Sequence, residues 1–196
     1  MIRNFRRFTT VWFLLPLCAS AETSPVKITA KPNQIWIERG SCGQYLNFDF
    51  VVENTTGETL NISLVEVSVF DRAEKLEVQR HLDGSGFSPN ILLIPNREIA
   101  SKQSVLIFNP FFAFEPDVDL AKMRFEFSIA AKDADKKYTS ILEVSPAFYE
   151  TKTKLVLPLK KRLLINSGYA FFAHHRRFDY LHPIVRQICV GSNFMR

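Results

Sequence analysis

Met123, Phe125, Phe127 and Ile129 alternate with Arg124, Glu126 and Ser128. A period of two puts one set on each side of an extended chain, so this stretch is a strand with one buried face; a helix would scatter the same four side chains around its axis. The polar run at residues 133–137 (DADKK) then reads as a turn, and Tyr138–Val144 returns to complete a hairpin. Tyr45–Glu53 shows the same pattern, with Leu46, Phe48, Phe50 and Val52 against Asn47, Asp49 and Glu53. After a turn at Asn54–Glu58, Leu60, Ile62 and Leu64 share one face, and Val65, Val67 and Val69 then take the opposite parity. One extra residue near Leu64–Val65, a β-bulge, would return both sets to a common core.

Shorter strands are expected at Val26–Ala30, Ile35–Glu38, Lys75–Gln79, Ile91–Ile94, Val105–Phe108, Lys154–Leu157 and Arg162–Ile165. No stretch between them keeps a helical period over three turns. Many short strands separated by turn residues predict an all-β, immunoglobulin-like antiparallel β-sandwich, with an incomplete β-rich segment at the C-terminal end. The 18 phenylalanines among 196 residues are an unusual share and point to a core built on aromatics. The apolar, proline-bounded stretch Phe108–Pro116 (FNPFFAFEP) either caps that core or presents a patch to a partner.

The first 21 residues read as a signal peptide. Arg3, Arg6 and Arg7 precede the apolar run Val11–Leu17, and Ala19-Ser20-Ala21 is a small-residue cleavage site. The run is shorter than the roughly 20 residues that a membrane span needs. Cys18 raises a lipoprotein alternative, but Leu17 stands where such signals want a small residue. The expected location is therefore periplasmic or secreted, with membrane contact only during export. Such a compartment permits a disulfide between Cys42 and Cys189, and two buried thiols are the other reading. Asn54 and Asn61 head N-x-[ST] sequons, which matter only in a eukaryotic secretory route.

Charge divides the remainder. Residues 22–151 hold 13 basic and 19 acidic side chains, whereas residues 152–196 hold 9 basic and one acidic. The organisation is thus a signal peptide at 1–21, a sandwich at 22–150 and a basic C-terminal region at 151–196. Export argues against nucleic acid as the basic region's partner. An anionic envelope surface or the chain's own acidic body fits better.

The chemistry-bearing residues lie in that region. His174, His175 and His182 fall within nine residues, and His175 and Asp179 form an H-x-x-x-D pair. Imidazole nitrogen and carboxylate oxygen are zinc ligands, and three of them with a water make a hydrolytic centre, because the ion lowers the pKa of its water to about 7. Two ligands bind zinc weakly, so His174, His182 or residues beyond these would have to supply a third. A solvated loop, with His174 bonded to a carbonyl and Arg176 and Arg177 paired with acidic groups, is the plainer reading of the same stretch.

The stretch LPLKKRLLINSGYAFFAHHRRFDY resembles the opening of the catalytic region of lysostaphin-type zinc metallopeptidases, which cut the peptide cross-links of bacterial cell walls. The resemblance covers roughly Lys154–Arg196. It implies a zinc cofactor, with His175 as first ligand and Asp179 as second, and a cell-wall peptide or envelope protein as partner. Arg176 and Arg177 stand where the family usually has glycine, and the family's downstream H-x-H motif does not occur within these residues. In divergent members the aspartate lies further on, which would move the second ligand beyond Asp179. The resemblance therefore implies a truncated, inactive front end of a zinc peptidase. The alternative is a non-enzymatic periplasmic sandwich that binds partners, as a chaperone does, along an open strand edge. A serine-nucleophile hydrolase and a phosphate-cradling loop are unsupported, since neither a G-x-S-x-G nor a P-loop pattern occurs.

Overall fold

The computed structural model describes residues 24–40, 42–86, 90–132 and 135–150, and in the C-terminal region residues 152–153, 156, 162, 177 and 179–184. Twelve strands form among them. β1 (Val26–Lys31), β4 (Asp49–Asn54) and β8 (Ser104–Phe108) make one sheet in the order β1-β4-β8. Facing it is a larger sheet of β5 (Leu60–Phe70), β6 (Leu76–Leu82), β10 (Lys122–Ala131) and β11 (Lys137–Val144), ordered β11-β10-β5-β6, with the short β7 (Glu98–Ile99) also on β5. β2 (Trp36–Arg39), β3 (Gln44–Leu46), β9 (Ala113–Phe114) and β12 (Ala147–Phe148) form a small end sheet in the order β12-β2-β3-β9. The described part is an all-β sandwich, antiparallel except where β12 runs parallel to β2.

The alternating strands build the core as their pattern requires. On β10, Met123, Phe125, Phe127 and Ile129 are buried and the intervening residues half-exposed. Phe125 and Phe127 meet Phe50 of the opposite sheet edge to face, with ring centroids 4.9 and 5.2 Å apart, and Phe48 lies 5.7 Å from Phe125. Each such ring removes a large apolar area from water, and edge-to-face pairs add about 0.5–1.5 kcal/mol beyond burial. The expected bulge is present, one residue earlier than read. Ser128 pairs with Leu64 and Ile129 with Ile62, so Ser63 is passed over and its hydroxyl donates to Ser128 O at 3.1 Å. Leu60, Ile62, Val65, Val67 and Val69 all reach the core in consequence.

Two expectations change. Tyr45–Glu53 is not one strand: β3 ends at Leu46 and β4 begins at Asp49. Its partner chain breaks at the same level, between β8 and β9. There the carboxylate of the buried Asp49 accepts from Asn109 N (3.2 Å), and Asn109 turns the chain by accepting from Phe111 N (2.9 Å). The paired breaks let one ribbon pass from the main sheet into the end sheet. Ile91–Ile94 is not a strand but a 3-10 turn over Ile91–Leu93, because the Asn90 side chain caps it by accepting from Leu92 N at 2.9 Å. The stretch Phe108–Pro116 caps the core: Phe111 and Phe114 are buried, and Arg80 of β6 lies over the Phe114 ring while donating to Ala113 O. The strands expected at Lys154–Leu157 and Arg162–Ile165 lie outside the described residues.

Candidate functional site

Asp179 sits in a tight turn. Its Oδ1 accepts from Leu181 N at 2.9 Å, and its carbonyl accepts from His182 N at 3.2 Å. This is an Asx-turn, the local bond that aspartate makes with backbone two residues on. A carboxylate has two oxygens and about four lone-pair sites, so capping Leu181 leaves it able to ligate. His182 faces solvent at the end of the turn. His174 and His175 lie outside the described residues.

Arg177, inside the H-x-x-x-D spacing, connects this stretch to the sandwich. It donates to Leu93 O at 3.4 Å, and its guanidinium carbon lies 5.8 Å from the centroid of the Phe108 ring. Leu93 ends the 3-10 turn, where the last carbonyls have no partner within the turn and remain open to an outside donor. Phe108 closes β8. The planar guanidinium suits both partners, since it donates in its plane and stacks through its face. The platform it meets is itself well tied. Asp83 accepts from Ser85 Oγ (2.8 Å), Ser85 N (2.9 Å) and Gly86 N (3.1 Å), and its carbonyl takes Ile91 N at 2.8 Å. The bond from the Ser85 hydroxyl, with those from backbone N–H groups, holds the Asp83 carboxyl below its ordinary value.

No three His, Cys, Asp or Glu side chains converge on a point that would hold a metal ion among the described residues. Asp179 and the exposed His182 are the candidate ligands among the described residues, and a zinc centre with three protein ligands and a water would need a further one. Among the described residues no helix is long and apolar enough to cross a membrane. Cys42 is exposed between β2 and β3, and Cys189 lies outside the described residues.

The sequon at Asn54 proves structural. Asn54 is 1% exposed. Its Nδ2 donates to Glu58 O (2.8 Å), Ile99 O (3.1 Å) and Ala100 O (3.1 Å), and its Oδ1 accepts from Thr56 N (2.9 Å) and Thr56 Oγ (2.7 Å). That amide binds the end of β4 to two turns. The sequence shows the sequon spacing but not the burial.

Sequence reasoning also passed over an aromatic pair at the end sheet. Trp36 and Tyr149 are 43% and 56% exposed, with ring centroids 6.0 Å apart at 71°. β2 positions Trp36, and Tyr149 follows β12, whose parallel pairing is extended by Tyr149 N donating to Ile37 O at 3.1 Å. The signal was the alternation in Ile35–Glu38: burying Ile35 and Ile37 turns Trp36 outward.

No family model matches the chain, and no curated protein matches it. Among solved structures it is similar to one titled "X-ray structure of Northeast Structural Genomics Consortium target SoR45", at 10% identity and a TM-score of 0.41, over 72% of this chain and 97% of that one.

Proposed function

We propose that this chain is an exported cell-envelope protein whose sandwich carries and positions a segment related to lysostaphin-type zinc metallopeptidases, with His175 and Asp179 as metal ligands. The observation that carries this reading is Arg177. It stands between the two ligand positions and meets Leu93 O and the Phe108 ring of the sandwich, which supports a scaffolding role for the sandwich at this point of the basic region. The basic n-region, the short apolar run and the A-x-A site support export to the periplasm or beyond. The partner on this reading is a cell-wall peptide. The second reading, a non-enzymatic binding module, is favoured by the outward-facing Trp36 and Tyr149.

Asp179 has two separable roles, turn and ligand. Asp179→Asn keeps an acceptor for Leu181 N–H but removes the anionic oxygen that zinc prefers. Calorimetric titration of the full chain with zinc should show about tenfold or greater loss of affinity in Asp179→Asn and in His175→Ala, with unchanged melting of the apo-protein. Equal affinity in all three proteins would overturn the ligand assignment.

A further inference from the structure

The outer face of the end sheet carries an exposed aromatic pair beside polar side chains. On β2, Trp36 and Glu38 share the face opposite to the buried Ile37. Across from them, Glu38 pairs with Tyr45, and the Asn47 amide donates to Glu38 Oε1 at 3.0 Å. On the other side Ala147 pairs with Trp36, and Tyr149 projects beside it, its ring meeting the indole edge to face. Two exposed aromatic rings thus meet at a corner, with a carboxylate and an amide already oriented next to them.

We propose that this face binds an oligosaccharide. A pyranose ring has a face of weakly positive C–H bonds and a rim of hydroxyls. The C–H face stacks on an indole or phenol face, whose π cloud is negative, while the rim hydroxyls bond to a carboxylate and an amide. Trp36, Tyr149, Glu38 and Asn47 supply both kinds of contact on one surface. A protein partner would be expected to seal its aromatic anchors behind a dry apolar surround. Here polar groups are interleaved with the rings at strand spacing, which suits a ligand that alternates apolar faces with hydroxyls. The placement matters as well: the chain leaves the platform at Tyr149 and runs directly into residues 151–196, so a polymer held there is held beside the root of the basic region.

Trp12 and Trp36 are the two tryptophans of the sequence. In the full chain carrying Trp12→Phe, indole emission therefore reports Trp36 alone. The probe is the hexamer of β-1,4-linked N-acetylglucosamine, with the monosaccharide as control. The expected result is a saturable change in emission with the hexamer, at least tenfold tighter than with the monomer. By calorimetry, Tyr149→Ala and Trp36→Ala should each lose about tenfold or more, Glu38→Gln a smaller factor, and Tyr149→Phe should retain binding because the ring persists. The proposal is overturned if millimolar hexamer leaves the emission unchanged, or if Tyr149→Ala binds as tightly as the parent while melting normally. It is also overturned if emission responds to protein concentration but not to sugar, which would make the face a protein contact. The sugar reading stands apart from the metal reading, since Tyr149→Ala should leave zinc affinity untouched.

Discussion

Asn54→Ala should be among the most damaging single truncations of a polar side chain in this protein. The native amide satisfies three backbone carbonyls with its two N–H bonds and takes two donors from Thr56. Alanine leaves all five partners without it. The bond to Ile99 O lies in the interior, where water does not replace it. An orphaned buried group of that kind costs about 1–3 kcal/mol, and each of the part-buried bonds about 0.5 kcal/mol once water partly substitutes. The expected loss is therefore about 3–5 kcal/mol. For a chain of this size that corresponds to a fall in Tm of about 6–20 °C. Urea denaturation of Asn54→Ala and Asn61→Ala would measure it, the second being a control on the other sequon, half-buried on β5. The midpoint should fall for Asn54→Ala with the slope unchanged. A loss below about 1 kcal/mol, or one equal to that of Asn61→Ala, would refute the claim that this amide ties β4 to its neighbours.

Glu74, in the turn between β5 and β6, has φ of 59° and is exposed. The left-handed region disfavours side chains with a Cβ, so Glu74→Gly should gain about 0.5 kcal/mol and the β-branched Glu74→Val should lose about 1 kcal/mol; the reverse order in thermal melts would contradict the assigned turn. Lys136 donates to Glu58 at 2.5 Å, and that bond raises the ammonium pKa above its ordinary value. A raised cationic group contributes stability that is complete below the unfolded pKa and is lost as pH rises through the folded one. The stability difference between the parent and Lys136→Met should thus be flat from pH 7 to about 9 and shrink above about 10.4. A difference that instead grows with rising pH would contradict the pairing.

Much of the sandwich was legible because half-burial imposes a period of two. The hairpin of β10 and β11 forms where Met123–Ile129 and Tyr138–Val144 indicate, and the change of parity between Leu60–Ile62 and Val65–Val69 demanded a bulge, which falls at Ser63 and leaves Leu64 half-buried rather than in the core. What stayed hidden depends on partners distant in sequence. The break at Asn47–Phe48 follows from an Asp49–Asn109 bond, which no local pattern announces. β7, β9 and β12 have two residues each, too few to show any period. Ile91–Ile94 is apolar enough for a strand, and only the capping Asn90 before it marks the turn. At the candidate site, the H-x-x-x-D spacing was visible, but the docking of Arg177 on a backbone carbonyl was not, because a carbonyl leaves no trace in residue identity.

The seam between the two large sheets bears on how the chain is made. β1 lies beside β11 there, with Ser140 Oγ donating to Val26 O at 3.0 Å and meeting Ser24 Oγ at 3.1 Å. Among the described residues, the first strand to be synthesised thus closes against the last but one. Phe48, Phe50 and Val52 emerge early, yet the rings that cover them, Phe125 and Phe127, arrive only with β10. Throughout that interval the nascent chain carries an uncovered aromatic surface, and pairing over such long sequence separations is intrinsically slow. A ribosome stalled before β10 would therefore expose a polypeptide prone to aggregation, and the cell would have to shield it until the second sheet is complete.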